Sequence, residues 1–275
     1  MTASFDPHRP ETLTALCDMA LAAGDVIMRH HRNGAVAETK ADKTPVTQAD
    51  RDAEALLEMR LGEIAPDIQV VGEEACATAL PQKLDARFFL LDPLDGTRDF
   101  IDGKKDFTVN IALIENGLPV VGVIYAPVHE KLYFSRKDGA GMLAHPPHEG
   151  CDLEQAQTLR AAAPPPDGLR VLTSGRHKND KTDALLDGLK ITERMTASSS
   201  YKFCLLAEGT ADLYPRHGRT MEWDTAAGQA ILEAAGGVVA DEAGARLAYG
   251  KLGDGLANPS FIASTASDWQ TAYTR

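Results

Sequence analysis

Cysteine is scarce in this chain, with 4 among 275 residues, and no two of Cys17, Cys76, Cys151 and Cys204 stand in a Cys-x-x-Cys spacing. A zinc knuckle or a dithiol redox centre needs such a spacing, so neither is indicated. Cys17 and Cys204 fall in helical patterns and read as small buried apolar side chains; reduced thiols fit a cytoplasmic protein. Long apolar runs are missing too. None nears the roughly 18 residues of a membrane-spanning helix, and Met1 to Arg9 lacks the apolar stretch of a signal peptide. Positive charge is in deficit, 28 Lys+Arg against 40 Asp+Glu, for a formal net charge of −12. That excludes the broad basic face of a protein that binds polymeric nucleic acid. It does not exclude an anionic small molecule, because a metal ion held by carboxylates inverts their charge locally. No internal repeat is evident. The remaining composition, 44% hydrophobic and 25% charged, is that of an ordinary soluble globular protein large enough for one large domain or two smaller ones.

The most informative stretch is Leu91-Asp92-Pro93-Leu94-Asp95-Gly96-Thr97. It follows Phe88-Phe89-Leu90-Leu91, an apolar run that predicts a buried strand. Pro93 and Gly96 are expected to break the strand into a tight turn, since proline fixes φ and glycine permits positive φ. Two carboxylates would then sit at a strand's carboxyl end, where open α/β sheets bind ligands, with the Thr97 hydroxyl just beyond. Without a cation between them such carboxylates repel, and a hard divalent ion relieves the repulsion. A plain Asp-Pro/Asp-Gly surface turn is the alternative.

Three more acidic segments accompany this turn. Val70-Val71-Gly72-Glu73-Glu74 again runs from apolar strand through glycine into acid. Lys40 to Asp50 ends in Pro45-Val46-Thr47-Gln48-Ala49-Asp50, and Glu222-Trp223-Asp224-Thr225-Ala226-Ala227-Gly228 lies far downstream. Together they resemble the lithium-sensitive, magnesium-dependent phosphomonoesterase superfamily of inositol monophosphatases and fructose-1,6-bisphosphatases, whose signatures are an Asp-Pro-x-Asp-Gly-Thr turn and a Trp-Asp-x-Ala-Ala-Gly helix start. The resemblance spans roughly residues 10 to 265. Within the superfamily, Ser198 to Leu205 and Leu213-Tyr214-Pro215-Arg216 look most like the bacterial 3'(2'),5'-bisphosphate nucleotidases.

Periodicity outlines the organisation. Glu11 to His31 predicts an amphipathic helix with Leu13, Leu16, Ala20, Ile27 and His31 on one face, entered through Pro10. Asn33 to Pro45 reads as a mobile loop, with Lys43 or Asp42 able to move towards the site. Thr47 to Leu61 predicts a second helix with Leu56, Leu57, Met59 and Leu61 as its apolar contacts; Thr47 and Asp50 fit a capping box, which alone would account for Asp50. Strands are expected at 107–113, 120–127, 131–135, 171–174 and 211–214, and helices at 97–101, 180–189, 201–208 and 223–235. His145 and His148 flank prolines in a solvated connector. The outline divides into an α+β unit over residues 1–160 and a smaller α/β unit over 161–275. The superfamily implies the αβαβα sandwich of the sugar-phosphatase type.

The resemblance also implies roles. Glu73, Asp92 and the Leu94 carbonyl would hold one Mg²⁺, and Asp92, Asp95 and Asp224 a second, in a two- or three-metal site. Asp50 and Thr97 would orient and deprotonate the attacking water, the hydroxyl relaying to the carboxylate. The N–H groups of Gly96 and Thr97 would face the phosphate, while Ser199, Lys202, Arg216 and His177 would hold the nucleotide. Each has a plainer reading: Asp224 as an acid complementing a helix dipole, Glu74 as the partner of a ligand, and the four nucleotide residues as solvated loop and helix groups. Arg216 favours an extra anion over a polyol. The implied activity is Mg²⁺-dependent, lithium-sensitive hydrolysis of the 3'-phosphate of adenosine 3',5'-bisphosphate to AMP, with its sulfate-bearing analogue as a second substrate, by a cytoplasmic monomer or homodimer. The alternatives are inositol 1-phosphate or fructose 1,6-bisphosphate as substrate, or a non-catalytic metal or nucleotide sensor.

Overall fold

A computed structural model describes residues 5–34, 37–39, 45–146, 150–175 and 179–274. Helix α1 (Pro10–Arg32) opens with proline at its start and buries Leu13, Leu16, Ala20 and Ile27. At its end the His31 ring tilts against Phe100 and Phe107, 5.4 and 5.7 Å between centroids. The next segment departs from the loop expected between Asn33 and Pro45, since β1 (Ala37–Thr39) pairs antiparallel with β2 (Pro45–Thr47). Val46 and Thr47 are buried, so β2 is anchored in the core and can template its partner. Asp42, Lys43 and His148 lie outside the described residues.

Helix α2 (Gln48–Ile64) starts at the expected Thr47–Asp50 capping box. Its buried stripe differs from the expected one: Ala49, Ala53, Leu57 and Leu61 recur every fourth residue, whereas Met59 is 56% exposed. At about 100° per residue Met59 points away from Leu57 and Leu61, and small alanines let α2 approach the sheet closely.

The main sheet comprises β3 (Gln69–Gly72), β4 (Arg87–Asp95), β5 (Thr108–Glu115), β6 (Leu118–Ala126), β7 (Lys131–Arg136), β8 (Gly139–Ala144) and β9 (Gln157–Leu159), in that spatial order. Only β3 and β4 run parallel. Short helices α3 (Glu73–Thr78) and α4 (Thr97–Ile101) follow β3 and β4. Beyond them come β10 (Leu169–Thr173), α5 (Asp180–Asp187), β11 (Ile191–Thr196), α6 (Tyr201–Ala207), β12 (Leu213–Arg216), α7 (Ala226–Ala234), β13 (Val238–Asp241), β14 (Phe261–Ser264) and α8 (Trp269–Ala272). The second sheet has the order β11-β10-β12-β14-β13.

Side-chain alternation along the strands sets the layering. On one face of the main sheet, Phe89, Leu91, Val109, Ile111 and Val123 meet α1 and α2. On the other, Phe88, Leu90, Ala112, Ile124 and Tyr133 share a core with α6, α7 and with Tyr214, Phe261 and Ala263 of the second sheet. The outer face of that sheet buries Leu169, Val171, Leu213 and Ile262 against Leu186 and Trp269 of α5 and α8. The result is the expected αβαβα sandwich. No described helix is long and apolar enough to cross a membrane.

Candidate active site

The strand before the central motif does not stop at Leu91 as expected, but runs on to Asp95. Asp92 lies opposite Asn110 and Asp95 opposite Thr108, so β4 carries one extra residue, a bulge. Pro93 falls inside it, where a missing N–H breaks no ladder bond. The Leu94 N–H donates to Asp92 Oδ1 at 3.1 Å, fixing the carboxylate against the bulge. Gly96 then turns the chain with φ 94°, and a Cβ on it would lie 2.2 Å from Ser199 Oγ. Glycine is required there by both conformation and space. Helix α4 starts at Thr97, as expected.

The expected helix over 223–235 is divided. Glu222–Asp224 forms one 3₁₀ turn, and α7 begins at Ala226. Thr225, at φ −124°, interrupts them; its hydroxyl lies 3.2 Å from the Glu222 carbonyl and 2.9 Å from Asn258 Nδ2. Asp224 Oδ2 accepts from the Met221 N–H at 2.8 Å, which aims the carboxylate back at β4.

Carboxylate oxygens of Asp92, Asp95 and Asp224 consequently lie within 4.8 Å of one another. Glu73, first residue of α3, lines the same cavity as Asp95 and Asp224. Burial pushes the Asp92 carboxyl well above its ordinary range, and the charges of Glu73, Asp95 and Asp224 add to the shift. Asp224 is raised well above the usual range by burial and Asp95. Burial raises Asp95 as well, against the opposing pull of Lys202 and the Ser200 N–H. A set of carboxylate oxygens, crowded and desolvated, fits hard divalent cations of the Mg²⁺ type. Leu94, between Asp92 and Asp95 in the chain, is buried, and its carbonyl accepts from Thr97 Oγ1 at 3.2 Å.

Asp50 is buried and spoken for on both oxygens. Oδ2 accepts from the Thr47 N–H and hydroxyl, each at 2.7 Å, and Oδ1 lies 3.0 Å from Thr97 Oγ1. The capping box and the Thr97 contact thus coexist. A hydroxyl held between a carboxylate and a carbonyl can pass a proton to Asp50.

The same cavity, of about 350 Å³, is also lined by Lys202, Arg216, Arg219 and Arg98, with Ser174, Ser198, Ser199, Tyr214 and Thr220 in the wall. Lys202 is 4% exposed, donates to the Ser199 carbonyl at 2.8 Å and lies 4.9 Å above the Tyr214 ring. Burial pushes its ammonium down to about 8, opposed by Asp95. Arg216 donates from Nη2 to the Arg219 carbonyl at 3.3 Å, while its buried Nε has no hydrogen-bond partner among the described residues. Ser199 also lines the cavity, yet its hydroxyl donates to the Asp95 carbonyl at 3.0 Å and the neighbouring Ser200 N–H to Asp95 Oδ2 at 2.6 Å. His177 lies outside the described residues. Sequence reasoning passed over Arg98, Ser174, Arg219 and Thr220; Arg219, three positions after Arg216, carried the only visible signal. It also passed over Asp106, which accepts from the Ser198 N–H at 3.1 Å and pairs with His129 at 2.9 Å.

Residues 9–274 match the model of the inositol monophosphatase family. The 3'(2'),5'-bisphosphate nucleotidase CysQ of Salmonella typhimurium is 40% identical over 251 residues, 90% of this chain and 98% of that protein. CysQ of Escherichia coli K12 is 38% identical over 254 residues, 92% and 99% of the two chains. Among solved structures, CysQ from Bacteroides thetaiotaomicron superposes with a TM-score of 0.77 at 35% identity, over 94% of this chain and 98% of that one. An inositol monophosphatase from Thermotoga maritima shares the fold, with a TM-score of 0.75 at 21% identity over 95% of each chain.

Proposed function

The chain belongs to the inositol monophosphatase family, and from that premise we propose that it is a Mg²⁺-dependent 3'(2'),5'-bisphosphate nucleotidase that converts adenosine 3',5'-bisphosphate to AMP and phosphate. One observation carries this reading: a single cavity is lined both by acids of the carboxylate cluster, Asp95 and Asp224, and by the bases Lys202, Arg216 and Arg219. A substrate with two phosphates offers one to metal held by the acids and leaves the other for the bases. The names of the CysQ relatives, at 38–40% identity over nearly the whole chain, support a 3'(2'),5'-bisphosphate nucleotide as the substrate class.

In this mechanism Glu73, Asp92, the Leu94 carbonyl, Asp95 and Asp224 hold the metal. Bound there, the ions supply charge neutralisation, an acidified water and stabilisation of the leaving oxygen. Asp50 and Thr97 accept the proton of the attacking water, through the 3.0 Å contact between them. The N–H groups of Gly96 and Thr97 orient the reacting phosphate. Arg216 grips the other phosphate with the Nε donor that has no partner among the described residues, with Lys202 and Arg219 adding charge. Residues 1–160 then provide the proton-transfer pair and most metal ligands, while 161–275 provide Asp224 and the nucleotide grip.

The test is phosphate release from adenosine 3',5'-bisphosphate, inositol 1-phosphate and fructose 1,6-bisphosphate, each with Mg²⁺. The bisphosphate nucleotide should lead in kcat/KM by at least about tenfold. A preference for inositol 1-phosphate would overturn the substrate assignment, and no release from any would overturn catalysis.

A further inference from the structure

Glu54 does not belong where a helix pattern would put a charge. It lies beside the apolar stripe of α2 and is only 5% exposed. It makes no ion pair among the described residues, and its charged neighbours Glu58 and Glu74 carry the same sign. A buried carboxylate with no counter-charge is costly, and a methionine or leucine would pack α2 at less cost. Burial pushes its carboxyl up to about 7.

What Glu54 does instead is hold α3. Its Oε2 accepts from the Glu74 N–H at 2.9 Å and its Oε1 from the Ala75 N–H at 2.7 Å. Helix α3 has six residues and buries none of them, so packing fixes it weakly. The residue before it completes the fit. A Cβ on Gly72 would lie 2.5 Å from the Glu54 carboxyl carbon, so the carboxylate fills the space a side chain would take. Glu73 is clamped between them: Gly72 precedes it, and the two amides after it are tied to Glu54.

We propose that Glu54 is a positioning residue for Glu73, reaching from α2 to lock the first turn of α3 and so set how tightly the site binds Mg²⁺. The inference rests on Glu73 being a metal ligand, as in the function proposed above. Groups that orient a metal ligand typically contribute about 10–100-fold to metal affinity. Glu54→Gln keeps the length but turns an amide NH₂ towards one of the two N–H donors, breaking the bidentate hold.

The experiment is Mg²⁺ titration of the full chain by calorimetry, with thermal unfolding in parallel, for wild type, Glu54→Gln, Glu73→Gln and the double variant. Mg²⁺ affinity should fall at least about tenfold in Glu54→Gln, while its metal-free melting temperature holds or rises because a buried charge is gone. In the double variant, affinity should fall little further than in Glu73→Gln, since Glu54 acts through Glu73. Unchanged affinity in Glu54→Gln would overturn the proposal. So would losses that add in full, or a fall in melting temperature with no change in affinity. If Glu54→Gln does not fold, Glu54→Met fills the same space and is read in the same way. Calorimetry reads metal directly, so absent hydrolysis of the nucleotide would count against the proposed function and leave this result standing.

Discussion

Asp92 is buried among carboxylates of its own sign. The charged groups around it, Glu73, Asp95, Asp224 and Asp50, all share its sign, and it is 1% exposed. Asp92→Asn nearly preserves shape while removing the charge that the metals would share. Activity should fall at least about 10³-fold with the fold intact; phosphate release together with circular dichroism checks this, and near-normal turnover in a folded variant would contradict the ligand assignment. In the same cavity, Arg216→Glu replaces a guanidinium fork with a repelling carboxylate. Disrupting such a contact typically costs a few kcal/mol. The kcat/KM for adenosine 3',5'-bisphosphate should therefore drop by about 10²-fold or more, and that for inositol 1-phosphate should change little. Equal losses on both would make Arg216 a support of the fold or metal site. Lys202→Ala should show the same bias more weakly, because an ammonium selects geometry less than a guanidinium does.

At the scale of elements, the turn between β4 and α4 is the sensitive joint. A side chain at Gly96 would meet Ser199 Oγ at 2.2 Å in a backbone with φ 94°. Gly96→Ala should cost about 1–2 kcal/mol from the left-handed conformation alone, read by urea unfolding. It should also displace Ser199 from the Asp95 carbonyl, so phosphate release should fall even where the protein remains folded. Full activity in Gly96→Ala would show that the Ser199 contact is dispensable. Elements with strong local signals were legible: α1, α4 and β5 to β7 lie within a few residues of their expected bounds. Others were not. Strand β11 is mostly exposed along Ile191–Thr196 and so lacks apolar alternation. Pro93 argued for a strand end, but the bulge absorbs it, and a bulge leaves no mark in periodicity.

For the whole molecule, the carboxylate cluster is a repulsive load that joins parts of two layers, since Asp92 and Asp95 lie on β4 and Asp224 just before α7. A ligand that binds the folded state alone stabilises it by about 2.7 kcal/mol at a hundredfold excess over Kd. For a chain of this size that corresponds to a rise of about 5 °C or more. Mg²⁺ should therefore raise the melting temperature over a chelated sample by about that much, and K⁺ at equal ionic strength should not. Asp92→Asn should lose most of the Mg²⁺ effect. A melting temperature indifferent to Mg²⁺ would argue against a metal held by this cluster.

The sequence by itself determined the local chemistry. It placed two acids and a hydroxyl around one turn, a capping box at Thr47 and Asp50, an acid at the head of α3 and another before α7. These depend on residue identity and near neighbours, which a linear chain displays. The tertiary structure alone decided that Asp224 meets Asp92 and Asp95 within 4.8 Å, that Ser199 and Ser200 brace Asp95, that Arg219 joins Arg216 and Lys202 around the cavity, and that Glu54 ties α2 to α3. Such contacts arise where one layer is laid on the next. Layer packing follows burial summed over whole elements, and no short stretch of sequence contains it.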